Sequence, residues 1–244
     1  MKLKGKVALV TGGAKRVGRT LALGLAARGC HVAITYRTSA REALETVRAV
    51  RRQGVRSIAV QVDQRSSAQV RSAVKEISGR FGRLDLLINN ASSFYRTPWD
   101  RVTDEQWDDL LSSNLTGPWW YAQASAKVMR RHGGGKILNI VDTAAFLPWP
   151  GYLPYCAAKG GLVTLTRGLA RALAPRIQVN GIAPGPVLFP PEMGAQERRK
   201  AIEKTLLKKA GSPEDILHAA LFLLEGSDYV TGVILPVDGG RLLA

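Results

Sequence analysis

A tyrosine and a lysine four residues apart, Tyr155 and Lys159, have a spacing that suggests chemistry. On an α-helix, residues at i and i+4 lie on the same face, so the phenol and the ammonium would be neighbours. Because a nearby cation stabilises phenolate, we expect a lowered pKa for Tyr155. Such a phenol could donate its proton during a reduction and recover it afterwards.

The carboxylate of Asp142 stands thirteen residues before Tyr155, directly after an apolar run that predicts a strand. The strand would bring Asp142 to the start of the helix that carries Tyr155. Asp142 could share proton donation with the tyrosine, or it could only accept a hydrogen bond from it. Both alternatives stay open, and Asp142 is a candidate catalytic residue.

A glycine-rich turn, TGGAKRVG, follows the first predicted strand and opens a helix. Glycines permit a tight turn there, and the amide N–H groups at the helix start can face a pyrophosphate. The alternative is a plain tight turn. We expect the dinucleotide contacts of this turn to come from Gly12, Lys15, Arg16, Val17 and Gly18.

The second predicted strand ends in Tyr36, Arg37, Thr38 and Ser39. A site for NAD normally places Asp or Glu about 20 residues after the glycine-rich turn, to bind the ribose hydroxyls. Here Arg37 can pair with a 2′-phosphate while Thr38 and Ser39 complete its shell, each charge-assisted bond contributing about 1.5–3 kcal/mol. This favours NADPH over NADH, with an exposed surface arginine as the alternative.

The chain resembles the short-chain dehydrogenase/reductase family over nearly its whole length. The resemblance rests on the glycine-rich turn, Asp63, Asn89-Asn90-Ala91, Asn114, Tyr155 with Lys159, and Pro184-Gly185. It implies that Tyr155 is the general acid, that Lys159 holds the nicotinamide ribose and tunes Tyr155, and that Asn114 anchors a proton-relay water. It further implies cofactor contacts from Tyr36, Asp63, Asn90, Ala91, Lys159, Pro184, Gly185 and Val187.

Two positions depart from the common family pattern, since Asp142 stands where most members have Ser and Arg16 where most have Gly. At both positions the chain resembles pteridine reductases. It also resembles them at Tyr36, at Ser39 and in the run from Asn90 to Tyr95. The resemblance implies that Phe94 stacks on a pterin ring opposite the nicotinamide, with ordinary loop packing as the alternative. It also implies that Arg16 and Ser92 bind the polar edge of the ring, while Asp142 and Tyr155 supply protons.

These residues predict an NADPH-dependent reductase acting on a dihydropterin or dihydrofolate-like substrate. A 3-oxoacyl-carrier-protein reductase or general carbonyl reductase is the nearest alternative, because an acidic carrier would suit a basic protein. From a different class comes a non-catalytic NADP(H)-binding or nucleic-acid-binding protein, against which the intact set of Asn114, Tyr155 and Lys159 argues.

Valine- and isoleucine-rich runs alternate with stretches of helical period, which is typical of βαβ units. We therefore expect an α/β protein with a Rossmann-type, doubly wound parallel sheet of about seven strands and helices on both faces. The carboxyl ends of such strands share one edge, where ligands bind. The predicted strands are Lys6–Thr11, Val32–Tyr36, Ser57–Val62, Leu84–Asn89, Lys136–Val141, Gln178–Ala183 and Val233–Pro236.

Helical stretches are predicted near 17–29, 40–53, 66–80, 103–131 and 152–174, with a short helix starting at Ser212. Gly117-Pro118 should kink the fourth of these. Residues 186–211, the lid segment, should cover the substrate, with Pro190-Pro191 near its start. Its basic residues could attract an acidic tail or simply form a solvated helix face; they are Arg198, Arg199, Lys200, Lys204, Lys208 and Lys209.

Length and composition suit one domain spanning 1–244, with 45% hydrophobic residues. The formal net charge is +16, but the basic residues are spread along the chain and match no nucleic-acid-binding motif. We expect no nucleic-acid or membrane partner, no metal site, a cytoplasmic location and buried free thiols at Cys30 and Cys156. The family resemblance implies a homotetramer assembled through the fourth and fifth helices.

Overall fold

Seven parallel strands form one sheet in the computed structural model of the protein, which describes residues 1–189 and 193–244. The order across the sheet is β3-β2-β1-β4-β5-β6-β7, and every neighbouring pair is parallel. Every predicted strand is confirmed to within two residues at each end. The strands are β1 (Val7–Val10), β2 (His31–Tyr36), β3 (Ser57–Gln61), β4 (Leu86–Asn89), β5 (Gly135–Ile140), β6 (Ile177–Pro184) and β7 (Ile234–Val237).

Helices cover both faces of the sheet, which confirms the doubly wound α/β class. Leu21 and Leu25 pack with β1 and β2 on one face, while Val70 and Met129 pack in a second buried cluster on the other. No helix in the described ranges is long and apolar enough to cross a membrane. The helices are α1 (Arg16–Ala27), α2 (Ala40–Arg51), α3 (Ser67–Phe81), α4 (Asp104–Leu111), α5 (Gly117–Arg131), α6 (Leu153–Leu173), α7 (Ala195–Glu203) and α8 (Pro213–Leu221).

The single kinked helix predicted over 103–131 is wrong, because the chain there forms α4, one π-helical turn at Ser112–Thr116, and α5. Pro118 has no N–H to donate to the carbonyl four residues earlier, and its ring would clash with that carbonyl. The turn widens instead, and the Gly117 N–H bonds to the Ser112 carbonyl, five residues back. Asn114 therefore lies in a π turn, a form that is frequent at functional sites.

The two cysteines are buried free thiols, as the sequence predicts. Burial raises the pKa of Cys30 to about 12. A thiol in that state is a poor nucleophile at neutral pH.

Buried side-chain hydrogen bonds fix α6 against the centre of the sheet. The Asn89 amide donates to the Asn139 side-chain oxygen at 2.8 Å, joining β4 to β5. The Asn139 amide donates to the Thr166 hydroxyl at 2.9 Å, joining β5 to α6. Because Asp142 follows β5 and Tyr155 lies on α6, these bonds also set the relative position of those two side chains.

Replacing Thr166 with Val should lower the melting temperature, because the substitution leaves the buried Asn139 amide without its acceptor. An unsatisfied buried group costs about 1–3 kcal/mol, and each kcal/mol shifts Tm by roughly 2–4 °C in a domain of this size. Thr164→Val, at an exposed position of the same helix, is the matched control. Equal melting temperatures for the two variants in a calorimetric scan would refute this role for Thr166.

Candidate active site

A cleft of about 860 Å³ runs along the carboxyl edge of the sheet. We call the residues that directly follow the carboxyl end of a strand its exit. The predicted site residues at the exits of β1 to β6 line the cleft, and so do Tyr155 and Lys159 of α6. Asn114 is the one predicted site residue that does not line the cleft. The structure thus brings the predicted cofactor and catalytic residues together in one place.

The glycine-rich turn after β1 is packed too tightly for side chains. Gly12 has φ +62°, and a Cβ there would lie 2.9 Å from the Ala91 Cα. A Cβ on Gly18 would lie 2.3 Å from the Gly12 carbonyl oxygen. The Thr11 hydroxyl accepts the N–H groups of Asn90 and Ala91, both at 2.9 Å, and so ties this turn to the β4 exit. This close backbone approach fits the pyrophosphate of a dinucleotide.

The β2 exit brings Tyr36, Arg37, Thr38 and Ser39 to the cleft, with the arginine exposed. The Gln61 amide donates to the Arg37 carbonyl at 2.9 Å and holds the backbone of this exit against β3. An exposed guanidinium at the rim of a ligand cleft can reach a phosphate on a bound ribose. The arrangement fits the 2′-phosphate site that the sequence predicts.

At the next exit, the Asp63 carboxylate is held by Arg65. The Arg65 guanidinium donates to both carboxylate oxygens of Asp63, and it also donates to Asp109 at 2.6 Å. This hydrogen bonding holds the pKa of Asp63 below its usual value. Asp63 therefore stays ionised at the cleft rim, where the family resemblance implies a contact with the cofactor.

Asp142, Tyr155 and Lys159 meet at the inner wall of the cleft. The Tyr155 hydroxyl donates to the Asp142 carboxylate at 2.8 Å, and the second Asp142 oxygen accepts the Ala144 N–H at 2.8 Å. The buried Lys159 ammonium donates to the Ile140 carbonyl at 2.8 Å and lies 5.6 Å from the Tyr155 ring centre. The carboxylate, and not the ammonium, is thus the group bonded to the phenol.

The lowered pKa expected for Tyr155 is wrong for this arrangement. Burial, followed by the charge of Asp142, raises the pKa of Tyr155 well above its ordinary value. Burial also raises the pKa of Asp142, and it lowers the pKa of Lys159 to about 8. Since ionisation of either group disfavours ionisation of the other, the two form a coupled pair, and Tyr155 keeps its proton beside the Asp142 carboxylate.

The buried Asn114 side chain holds the loop after β4. The Ser92 hydroxyl donates to the Asn114 side-chain oxygen at 2.5 Å, and the Asn114 amide donates to the carbonyls of Ser93 and Leu110, each at 2.9 Å. These bonds place Ser92 at the cleft beside Tyr155. The relay-water role that the resemblance implies for Asn114 stays a prediction.

An aromatic cluster forms the wall beside Tyr155. Phe94 lies parallel to Tyr152, with ring centres 4.8 Å apart, and meets the Tyr155 ring nearly edge-on at 4.9 Å. Trp149 packs edge-on against both Phe94 and Tyr152. Phe94 is therefore packed in this cluster and also lines the cleft.

Trp149 and Tyr152 also line the cleft, although neither was predicted from the sequence as a site residue. A signal was present, since two aromatic residues lie in a proline-rich stretch between β5 and the helix of Tyr155. Aromatic residues in a loop that enters a catalytic helix are candidates for binding a flat ligand.

Arg16 lies where the common family pattern has glycine. The backbone there adopts a conformation that favours glycine, which explains the common pattern. Its φ is +55°, a left-handed conformation that costs a residue with a Cβ roughly 1–2 kcal/mol. The guanidinium donates to the Leu188 carbonyl at 2.9 Å and also reaches that of Phe189. Arg16 thus links the glycine-rich turn to the start of the lid segment; Pro190-Pro191 lie outside the described residues.

Comparisons with known proteins agree with this geometry. A family model described as Enoyl-(Acyl carrier protein) reductase matches residues 12–241. The chain is 33% identical to 3-oxoacyl-acyl-carrier-protein reductase FabG of Staphylococcus aureus, over 98% of each chain.

Two solved structures superpose closely on this fold. A putative short-chain alcohol dehydrogenase from Sinorhizobium meliloti has a TM-score of 0.94 and 34% identity, covering 99% of this chain and 98% of its own. FolM alternative dihydrofolate reductase 1 from Brucella canis, complexed with NADP, has a TM-score of 0.93 and 31% identity, covering 100% and 96%. With a matching family model and relatives above 30% identity along nearly the whole chain, this protein belongs to the short-chain dehydrogenase/reductase family.

Proposed function

We propose that this oxidoreductase reduces a pteridine, of the dihydropterin or dihydrofolate type. The observation that carries the proposal is the 2.8 Å bond between the Tyr155 hydroxyl and the Asp142 carboxylate at the wall of the cleft. Reduction of a pterin ring needs a proton at a ring nitrogen beside the carbon that receives hydride. A carboxyl group and a phenol in contact can supply and replenish that proton.

NADP(H) is the cofactor, and when bound it supplies the hydride. We propose that Gly12 and Gly18 leave room for its pyrophosphate, that Arg37 pairs with its 2′-phosphate, and that Lys159 holds the nicotinamide ribose. Further contacts are proposed from Lys15, Arg16, Val17, Tyr36, Thr38, Ser39, Asp63, Asn90, Ala91, Pro184, Gly185 and Val187.

Asp142 and Tyr155 divide the proton transfer between them. Burial raises the pKa of Asp142, which brings this carboxyl closer to the range in which it can both take up a proton and deliver it to a ring nitrogen. Tyr155 already holds a hydrogen bond to that carboxyl, so its hydroxyl orients Asp142 and can pass a proton to it. Serine at position 142 would have no comparable acidity.

The aromatic cluster supports a flat substrate. Phe94, Trp149 and Tyr152 all line the cleft beside the catalytic pair. Offset or parallel contact between aromatic rings contributes about 0.5–1.5 kcal/mol beyond burial of area. A pterin ring between this wall and the nicotinamide would expose its polar edge to Ser92 and Arg16.

Carbonyl reduction is the second candidate, and the similarity to FabG favours it. An acidic acyl carrier would be attracted by the formal charge of +16. Against it, Asp142 stands where most members of the family have serine, an unusual choice for polarising a carbonyl. The homotetramer implied by the family resemblance and the cytoplasmic location expected from the sequence stay predictions.

The two candidates differ in an assay of NADPH oxidation with dihydrobiopterin and with an acetoacetyl thioester. We expect turnover of the pterin, and a loss of about 10²–10⁴-fold in kcat for Tyr155→Phe, which removes the phenolic proton. Turnover of the thioester alone would exclude the pteridine proposal.

Asp142→Ser is the matched variant in the same assay. It should lose pterin reduction while it retains the cofactor affinity of the wild type. Retained pterin turnover with a serine at this position would show that the carboxyl does not supply the proton.

Arg37→Asp should shift cofactor preference from NADPH toward NADH by about tenfold or more, because the substitution removes the partner of the 2′-phosphate and adds a repulsive charge. The readout is the ratio of kcat/KM values for the two cofactors. Arg41→Asp makes the same charge change four residues later, where the side chain is exposed and pairs with Glu45. An identical ratio in both variants would remove Arg37 from the cofactor site.

A further inference from the structure

The helix of the lid segment, α7, presents one particular face to the cleft. The cleft-lining residues of this helix and its C-cap are Glu197, Lys200, Ala201 and Lys204, spaced three, four and seven residues from the first. That spacing is one side of an α-helix. Two of the six basic residues predicted for the lid segment therefore face the cleft, and both are lysines.

A third cation reaches the same place from the far end of the chain. Arg241 lines the cleft and donates to the Lys204 carbonyl at 3.3 Å. The turn that delivers it is fixed, because the Asp238 carboxylate accepts the N–H groups of Gly240 and Leu242, both at 2.9 Å. Gly239 and Gly240, at φ +63° and +78°, allow the sharp reversal after β7.

Arg241 lies far from the phosphate-binding side of the cleft. Arg241 follows β7, which is five strands from β2 and four strands from β1 in the sheet order. At about 4.8 Å per strand, the exits are roughly 24 Å and 19 Å away. The nearer exits are those of β6 and β5, and β5 delivers Asp142. Arg241 therefore lies on the substrate side of the cleft, and so does Lys204, whose carbonyl it contacts; Lys200 is one helical turn before Lys204 on the same face.

Glu197, on the same face of α7, is the acidic residue that accompanies them. We call the part of the cleft lined by Lys200, Lys204, Arg241 and Glu197 its lip. With three cations and one carboxylate, the lip has a positive net charge. Exposed cations that converge on one opening stabilise an anionic group bound there. The ring of such a ligand could pack deeper in the cleft, against the aromatic cluster. The lip is distinct from the Arg16 contact, which reaches the carbonyls of Leu188 and Phe189.

We propose that Lys200, Lys204 and Arg241 recognise the carboxylates on the tail of the substrate. The preferred pteridine is then one with an anionic, glutamate-bearing side chain, as in dihydrofolate, and not one with a neutral polyol side chain, as in dihydrobiopterin. This inference rests on the proposed pteridine reduction. It assigns to the lid segment the recognition of the substrate tail.

The test compares Lys200→Gln/Lys204→Gln with Arg199→Gln/Lys209→Gln, which removes the same charge from the lid segment outside the cleft. In the first variant, KM for dihydrofolate should rise roughly 3- to 30-fold, the range for two partly exposed charge contacts. KM for dihydrobiopterin and for NADPH should stay at wild-type values. The second variant should match the wild type with all three.

Ionic strength gives an independent readout. Because exposed charges are screened by salt, KM for dihydrofolate should rise between low salt and 0.5 M salt, and this dependence should be smaller in Lys200→Gln/Lys204→Gln. Direct binding of p-aminobenzoyl-glutamate, the tail without its pterin ring, should weaken in the same variant.

Three results would overturn the inference: equal rises of KM for both pterins, a rise of KM for NADPH alone, or unchanged binding of p-aminobenzoyl-glutamate. Failure of the underlying function gives a different pattern. If the wild type reduces neither pterin but p-aminobenzoyl-glutamate binding still depends on Lys200 and Lys204, the pteridine reaction is refuted while the anion site is supported.

Discussion

The hydrogen bond from the Tyr155 hydroxyl to the Asp142 carboxylate is the contact on which this account depends. The bond lies at a buried wall of the cleft, where burial raises the pKa of both groups, and the charge of Asp142 raises that of Tyr155 further. Lys159 lies close by, yet its hydrogen bond goes to the Ile140 carbonyl. The site is therefore suited to proton transfer. The packing of α6 against the sheet is what holds Asp142 and Tyr155 in contact.

Much of the site follows from the sequence because strand exits of a parallel sheet converge on one edge. Apolar runs mark β1 and β5, and the residues that follow them, Gly12 and Asp142, therefore lie at the same edge of the sheet. The direction of the Tyr155 pKa shift was beyond that logic, because spacing places Lys159 near the phenol but does not tell which charge bonds to it. Likewise, nothing local shows that Pro118 widens the preceding turn instead of only bending the helix.

Side chains that come from loops and from the end of the chain were also missed. Trp149 and Tyr152 lie in an irregular stretch whose path no periodicity predicts, and Arg241 reaches the cleft only because β7 closes the sheet beside β6. The cleft is lined by eight basic and three acidic residues, so part of the positive charge of the protein is located there. That charge has two centres: one at the β1 and β2 exits, suited to phosphates, and one at the lip formed by α7.

The most direct test is a titration of Tyr155 by NMR, with ¹³C-labelled tyrosine and with Tyr155→Phe to assign the signal. We expect the Tyr155 phenol to stay protonated well beyond its ordinary pKa of 10.0, and Asp142→Asn to lower this pKa by removing the opposing charge. A phenolate that forms near neutral pH in the wild type would contradict this expectation, because Lys159 and not Asp142 would then govern the proton.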